Sequence, residues 1–167
     1  VDPSIAICLF TAIATDTGFF RFSNTTPTTL RIAARLVERG AEPSVISEQV
    51  YEARSLENLK MLGRVLDTLQ MDKTGKIAWM EVYGNRMSEL SLDEGQTEGF
   101  VNYARMVKGV EVALIFRESA DGKIRVGMRS KGKFDVGALA ETLGGGGHAR
   151  AAGCSLDSQS ISEAKEL

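Results

Sequence analysis

The 167-residue sequence is short of several things, and each shortage removes a class of function. It holds one histidine, His148. With a single imidazole, no Asp-x-Asp and no second acidic turn, the chain alone cannot surround a catalytic metal ion, which takes several carboxylates or imidazoles. Its two cysteines, Cys8 and Cys154, sit in apolar runs without Cys-x-x-Cys spacing. That argues against a disulfide or a metal role and reads as buried thiols of a cytosolic protein. The apolar run from Ile5 to Ala14 is about half of what a membrane-spanning helix needs, and it lacks the basic flank of a signal peptide. No charge excess announces nucleic acid: 20 Lys+Arg stand against 22 Asp+Glu. Any recognition of phosphate must therefore come from local placement of arginine and lysine. There is no internal repeat and no low-complexity tract.

What is present is enough apolar residue, 43%, to build real cores. Asp2-Pro3 reads as a helix start, and Ile5, Ala6, Leu9, Ala12 and Ile13 recur at helical spacing. Asn24-Thr25-Thr26-Pro27 opens a second helix that stops at Gly40, Pro43 a third, and Leu56 to Leu69 carry a fourth. The turn cluster Asp72-Lys73-Thr74-Gly75 marks a boundary. Beyond it the pattern predicts a strand over 76–83, a helical stretch over 94–107, and a hairpin of 110–117 with 123–129. A short helix over 134–143, a strand over 151–156 and a last helix from Ile161 follow. Trp79, Met80, Phe100, Tyr103 and Phe116 read as packing residues. The second part is thus a small α+β unit of about four strands.

Three stretches carry chemistry. Gly144 to Gly153 reads GGGGHARAAG, a glycine run ending in the only histidine. Glycines after a helix let N–H groups converge in an anion nest, to which His148 adds a titratable donor and Arg150 a fixed charge. A flexible helix-capping loop would look the same. Arg129, Ser130 and Lys131 are phosphate-competent side chains at a strand end, and a guanidinium grips phosphate at two points. Asp16, in Thr15-Asp16-Thr17-Gly18, is an aspartate at a tight turn between apolar segments, where it is either a turn former or a group with a partner to bind. In Phe19-Phe20-Arg21-Phe22, alternation would send Arg21 toward the side on which Asp16 points.

Together, Thr15 to Thr26, Gly127-Met-Arg-Ser130 and Gly144 to Gly153 resemble the DHH phosphoesterase family, in its nano-RNase and pAp-phosphatase branch. The pieces stand in the family's order over essentially the whole chain. The resemblance implies an α/β protein with three parts. These are the helical end of a DHH catalytic lobe (1–54), a linker helix (55–73), and a small α+β DHH-associated domain with a mixed sheet (74–167). It implies a two-manganese (Mn2+) catalytic cluster, with Asp16 matching its last aspartate ligand. Gly145, Gly146, Gly147 and His148 match the substrate loop, and Arg129 with Ser130 the phosphate-binding strand end. Arg21, Arg150 and Lys131 are further candidates.

The remaining metal-ligand motifs are absent, and they are expected upstream of Val1. The start at Val1, and an end that reads as a helix still under way, fit a piece of a longer protein. The expected whole is a cytoplasmic hydrolase of short single-stranded RNA (3′–5′) and of 3′-phosphoadenosine 5′-phosphate (pAp), with no membrane partner and a homodimer left open. The fragment alone is expected to be inactive. A stand-alone nucleotide- or RNA-binding module, and a RecJ-like or cyclic-dinucleotide relative, are the other readings.

Overall fold

A computed structural model of the chain describes residues 2–90 and 94–166; the side chains of Arg86 and Glu94 are outside the description. The chain divides into two compact units, Val1–Arg54 and Ser55–Leu167.

The first unit is helical. Helix α1 (Pro3–Asp16) starts where Asp2 accepts the N–H groups of Ser4 and Ile5, with Pro3 at the first helical position. Helix α2 (Pro27–Val37) starts in a capping box in which Thr26 and Thr29 bond each other's backbone N–H groups. Helix α3 (Pro43–Ser47) runs into a π-helical turn, Glu48–Glu52. Ala6, Phe10 and Ala14 of α1 form one buried stripe against Ala33, Leu36, Ala41 and Ile46. Cys8 lies off that stripe and is exposed, contrary to the expectation of a buried thiol.

The stretch after α1 also corrects the sequence reading. Phe19 and Phe20 do not alternate between core and cleft. Gly18, Phe19 and Phe20 follow one another at φ of 57°, 55° and 64°. Left-handed backbone is strained for an aromatic residue. It is held because the Thr17 hydroxyl accepts the Phe20 N–H at 3.1 Å, the Thr17 carbonyl accepts two further N–H groups, and the rings pack edge-to-face on Phe10 and Tyr51.

The second unit is a six-stranded mixed sheet with helices on both faces. Helix α4 (Leu56–Leu66) leads to β1 (Gln70–Met71), β2 (Ile77–Val82) and α5 (Gly84–Glu89). A 3-10 turn (Glu94–Phe100), α6 (Val101–Met106), β3 (Val112–Glu118) and β4 (Ile124–Ser130) come next, then α7 (Val136–Thr142), β5 (Gly146–His148), β6 (Ala151–Leu156) and α8 (Ile161–Ala164). The strand order is β1-β2-β3-β4-β6-β5, with β2 and β3 parallel and the other neighbours antiparallel. The two strands beyond the expected four are β1, with two residues, and β5, hidden in the glycine run. The last helix stops at Ala164 with Lys165 as its cap; Leu167 lies outside the described residues.

Two cores sandwich the sheet. Met61, Leu62 and Val65 of α4 and Val101 and Ala104 of α6 pack on Ala78, Met80, Ala113 and Ile115. On the other face α7 and α8 cover Val112, Phe116, Val126, Met128 and Cys154. The expected packing residues serve as such: Met80 and Phe100 are fully buried, Phe116 nearly so, and Trp79 and Tyr103 flank the cores. On the first face β6 and β5 continue past α4 and α6, and there the sheet lies open.

Candidate functional site

The glycine run does three separate jobs. Gly144, at φ 74°, ends α7: its N–H donates to Glu141 at 3.1 Å and that of Gly145 to Ala140 at 2.8 Å. This is the Schellman pattern. The amides of Gly144 and Gly145 are therefore spent on the helix end and are not offered to an anion. Gly146, Gly147 and His148 instead pair with Gly153, Ala152 and Ala151 as a hairpin through Ala149-Arg150.

The pairing creates a floor without side chains. Gly127 of β4 stands opposite Gly153 of β6, which stands opposite Gly146 of β5. Strand alternation puts Arg125 and Arg129 on the same side of β4 as Gly127. Arg117 on β3 is the register partner of Arg125, and a Cβ on Gly127 would come within 3.4 Å of its Nη2. Three guanidinium groups thus wall a groove of about 400 Å³ floored by Gly127 and Gly153, with Gly144 and Gly145 at one end. The volume is that of a small-ligand cleft.

The charge in the groove is lopsided although the chain is nearly neutral. Among the described lining residues the one carboxylate is that of Glu98. Asp121 meets Arg125 at 3.6 Å, and Arg105 acts on Arg129 through space. Burial, repulsion from Arg105 and repulsion from Arg117 lower the pKa of Arg129, with Glu98 opposing. Its guanidinium remains charged at any physiological pH. Partly buried cations crowded this way stabilise a bound anion, and a planar guanidinium suits the two-point geometry of a phosphate.

The expected site residues separate into groups. Arg129 is in the groove, with Nη1 donating to the Met128 carbonyl at 2.9 Å. His148 is exposed at the far end of the register row Arg129–Ala151–His148. Ser130 points elsewhere: it is buried, and its hydroxyl donates to the Ala149 carbonyl at 3.2 Å, because alternation turns it away from Arg129. Lys131 is exposed with Nζ at 3.4 Å from the Val107 carbonyl, and Arg150 is exposed in the hairpin turn. Arg21 turns its Nε to the Gly18 carbonyl at 2.6 Å and not toward Asp16. Asp16, exposed at the end of α1, accepts the Asn24 side-chain amide at 3.1 Å. Arg117, Arg125 and Glu98 do not stand out in the sequence as site residues. The readable signal is Arg125-x-Gly127-x-Arg129, two cations bracketing a glycine on one strand face.

Among the described residues no three His, Cys, Asp or Glu side chains stand together as a metal site. The residues present therefore do not fit a manganese cluster by themselves.

Residues 74–167 match the family model described as the DHHA1 domain. The chain belongs to the DHH phosphoesterase family. It is 33% identical to the bifunctional oligoribonuclease and PAP phosphatase NrnA of Thermus thermophilus, across 97% of this chain and 48% of that one. The protein of the same name in Bacillus subtilis is 31% identical, across 93% and 49%. The chain thus spans about half the length of these curated DHH relatives. The crystal structure of an exopolyphosphatase-related protein from Bacteroides fragilis superposes with a TM-score of 0.91 at 28% identity, across 99% of this chain and 48% of that one. Among the described residues, no helix is long and apolar enough to cross a membrane.

Proposed function

We propose that the groove of the second unit holds the phosphate of a nucleotide or very short oligoribonucleotide. On this reading the chain is the substrate-gripping part of a phosphoesterase that acts 3′–5′ on short RNA and on pAp. One observation carries it: Arg117, Arg125 and Arg129 line one groove over the Gly127 and Gly153 backbone, with Glu98 as its lining carboxylate and Asp121 paired to Arg125 at 3.6 Å. The named activities of the two NrnA relatives support the substrate class. The free cysteines suit a cytoplasmic setting. A two-manganese centre, with Asp16 as this chain's contribution, belongs to the proposal through the family resemblance alone, and it requires ligands from outside residues 1–167.

The test is binding, with no catalysis needed. pAp titrated onto the chain in metal-free buffer should bind, and Arg129→Ala should weaken it roughly ten- to a hundredfold, the loss of a charge-assisted hydrogen bond of about 1.5–3 kcal/mol. Arg129→Lys should restore only part, since an ammonium lacks the planar fork. No binding by the wild type, or equal affinity in Arg129→Ala, defeats the reading.

A further inference from the structure

The segment leaving β4 and the turn between β5 and β6 are stitched side by side. The Ser130 N–H donates to the Arg150 carbonyl at 3.1 Å, and the Ser130 hydroxyl and Val136 N–H both donate to the Ala149 carbonyl, at 3.2 and 3.1 Å. Between Ser130 and Val136 lies Lys131-Gly132-Lys133-Phe134-Asp135. Lys131, Lys133 and Arg150 are exposed cations on this edge. Two carboxylates lie close by: Glu111, whose Oε2 would be 3.7 Å from a Cβ on Gly132, pairs with Lys76 at 2.6 Å, and Asp135 caps α7 through the Ala138 N–H at 3.0 Å.

Phe134 stands among these charges with half its surface, 50%, in solvent. It precedes the N-cap of α7, the position from which a hydrophobic staple would bury it against Leu139. A staple does not account for so much exposed ring. The edge also continues the groove. Lys131 directly follows the last residue of β4, two positions beyond Arg129, with its Nζ 3.4 Å from the Val107 carbonyl.

We propose that this edge is a second subsite, resting on the groove reading above, for the distal part of a single-stranded oligoribonucleotide. Lys131 and Lys133 meet a backbone phosphate, and Phe134 stacks on a base. Cations beside an exposed ring are what a single strand requires: charge for its backbone and a flat apolar surface for its bases. The groove alone would hold a mononucleotide; the edge makes length matter.

The experiment compares two probes, pAp and the tetraribonucleotide tetraadenylate, binding to the chain in metal-free buffer. Phe134→Ala should weaken tetraadenylate about tenfold, within the range for unstacking a single base, and leave pAp unchanged. Phe134→Tyr should retain wild-type affinity for both. Lys131→Ala with Lys133→Ala should flatten the salt dependence for tetraadenylate by about 0.7 in log–log slope for each phosphate that is no longer neutralised. Equal affinity of wild type and Phe134→Ala for tetraadenylate, or an equal loss on both probes, overturns the subsite. Failure of Arg129→Ala to weaken pAp would instead overturn the groove reading, so the two failures are separable.

Discussion

Gly145 and Gly153 approach so closely that a Cβ on Gly145 would lie 2.2 Å from the Gly153 carbonyl oxygen. Gly147, at φ 145°, would bring a Cβ to 2.6 Å from the Ala151 carbonyl oxygen. Gly146 between them would meet nothing within 4 Å. Gly145→Ala and Gly147→Ala should each destabilise the second unit by about 1–3 kcal/mol or more, because backbone must shift. Gly146→Ala should stay within about 0.5 kcal/mol. Urea unfolding measures the contrast. Similar values for all three would mean that the run is a pliable loop and not a packed helix end and strand.

Ser130 gives a second discrimination. If its hydroxyl secures the Ala149 carbonyl, Ser130→Ala should cost about 1 kcal/mol of stability, since that carbonyl still accepts the Val136 N–H. Its pAp affinity should match the wild type. A weaker Kd with unchanged stability would return Ser130 to the binding residues.

Glu81 supplies a pH dependence. It is buried on β2, where it accepts Lys165 Nζ at 2.7 Å and the Tyr83 hydroxyl. Burial alone would raise its pKa, but the bonds from Lys165 and Tyr83 and the charge of Lys165 outweigh it and leave the value lowered. A carboxylate depressed in the folded state stabilises fully above its unfolded pKa, about 4.3, and that contribution is lost as pH falls through the folded value. The stability gap between wild type and Glu81→Gln should hold level from pH 7 to 5 and shrink below about pH 4. A gap of the same size at pH 3 would show that the charge contributes nothing.

The two thiols should react at different rates. Cys8 is exposed, whereas Cys154 is buried and its thiol pKa is raised by that burial. A disulfide reagent at pH 7.5 should label Cys8 first, with Cys154 lagging until the unit opens. Peptide mapping by mass spectrometry reads the order, and prior labelling of Cys154 would contradict the packing beside Gly145.

Manganese titrated onto residues 1–167 should show no site tighter than about 0.1–1 mM, because isolated carboxylates hold a hard cation weakly. Calorimetry decides it. A stoichiometric micromolar site, or turnover of pAp by the chain, would mean that Asp16 has partners within this chain after all.

The fold is legible in the sequence wherever a period or a cap is strong. Asp2-Pro3 and Thr26-Pro27 mark helix starts, and the strands around Ser119 to Gly122 declare themselves by alternation. Strand β5 is not legible, because glycine is a poor strand former and its pairing comes from β6 rather than from its own sequence. The left-handed turn at Phe19-Phe20 is hidden for a related reason: nothing local favours it, and only Thr17 and the surrounding rings hold it. Of the groove, Arg129 is readable from its strand end, whereas Arg117 joins it through a pairing that the sequence does not display. Ser130 is conspicuous for its hydroxyl, whereas the alternation that buries it and turns it to the Ala149 carbonyl is less easily read.

The pair Gly127–Gly153 leaves the floor of the groove made of peptide planes. A surface of that kind is the same whatever lies on it, since it has no side chain with which to tell adenine from uracil or ribose from deoxyribose. Whatever selectivity this face possesses must therefore be written in its walls. There Arg117, Arg125 and Arg129 offer charge and forked donors, so a groove that holds nucleotides, as proposed, would discriminate by the number and placement of phosphates before base.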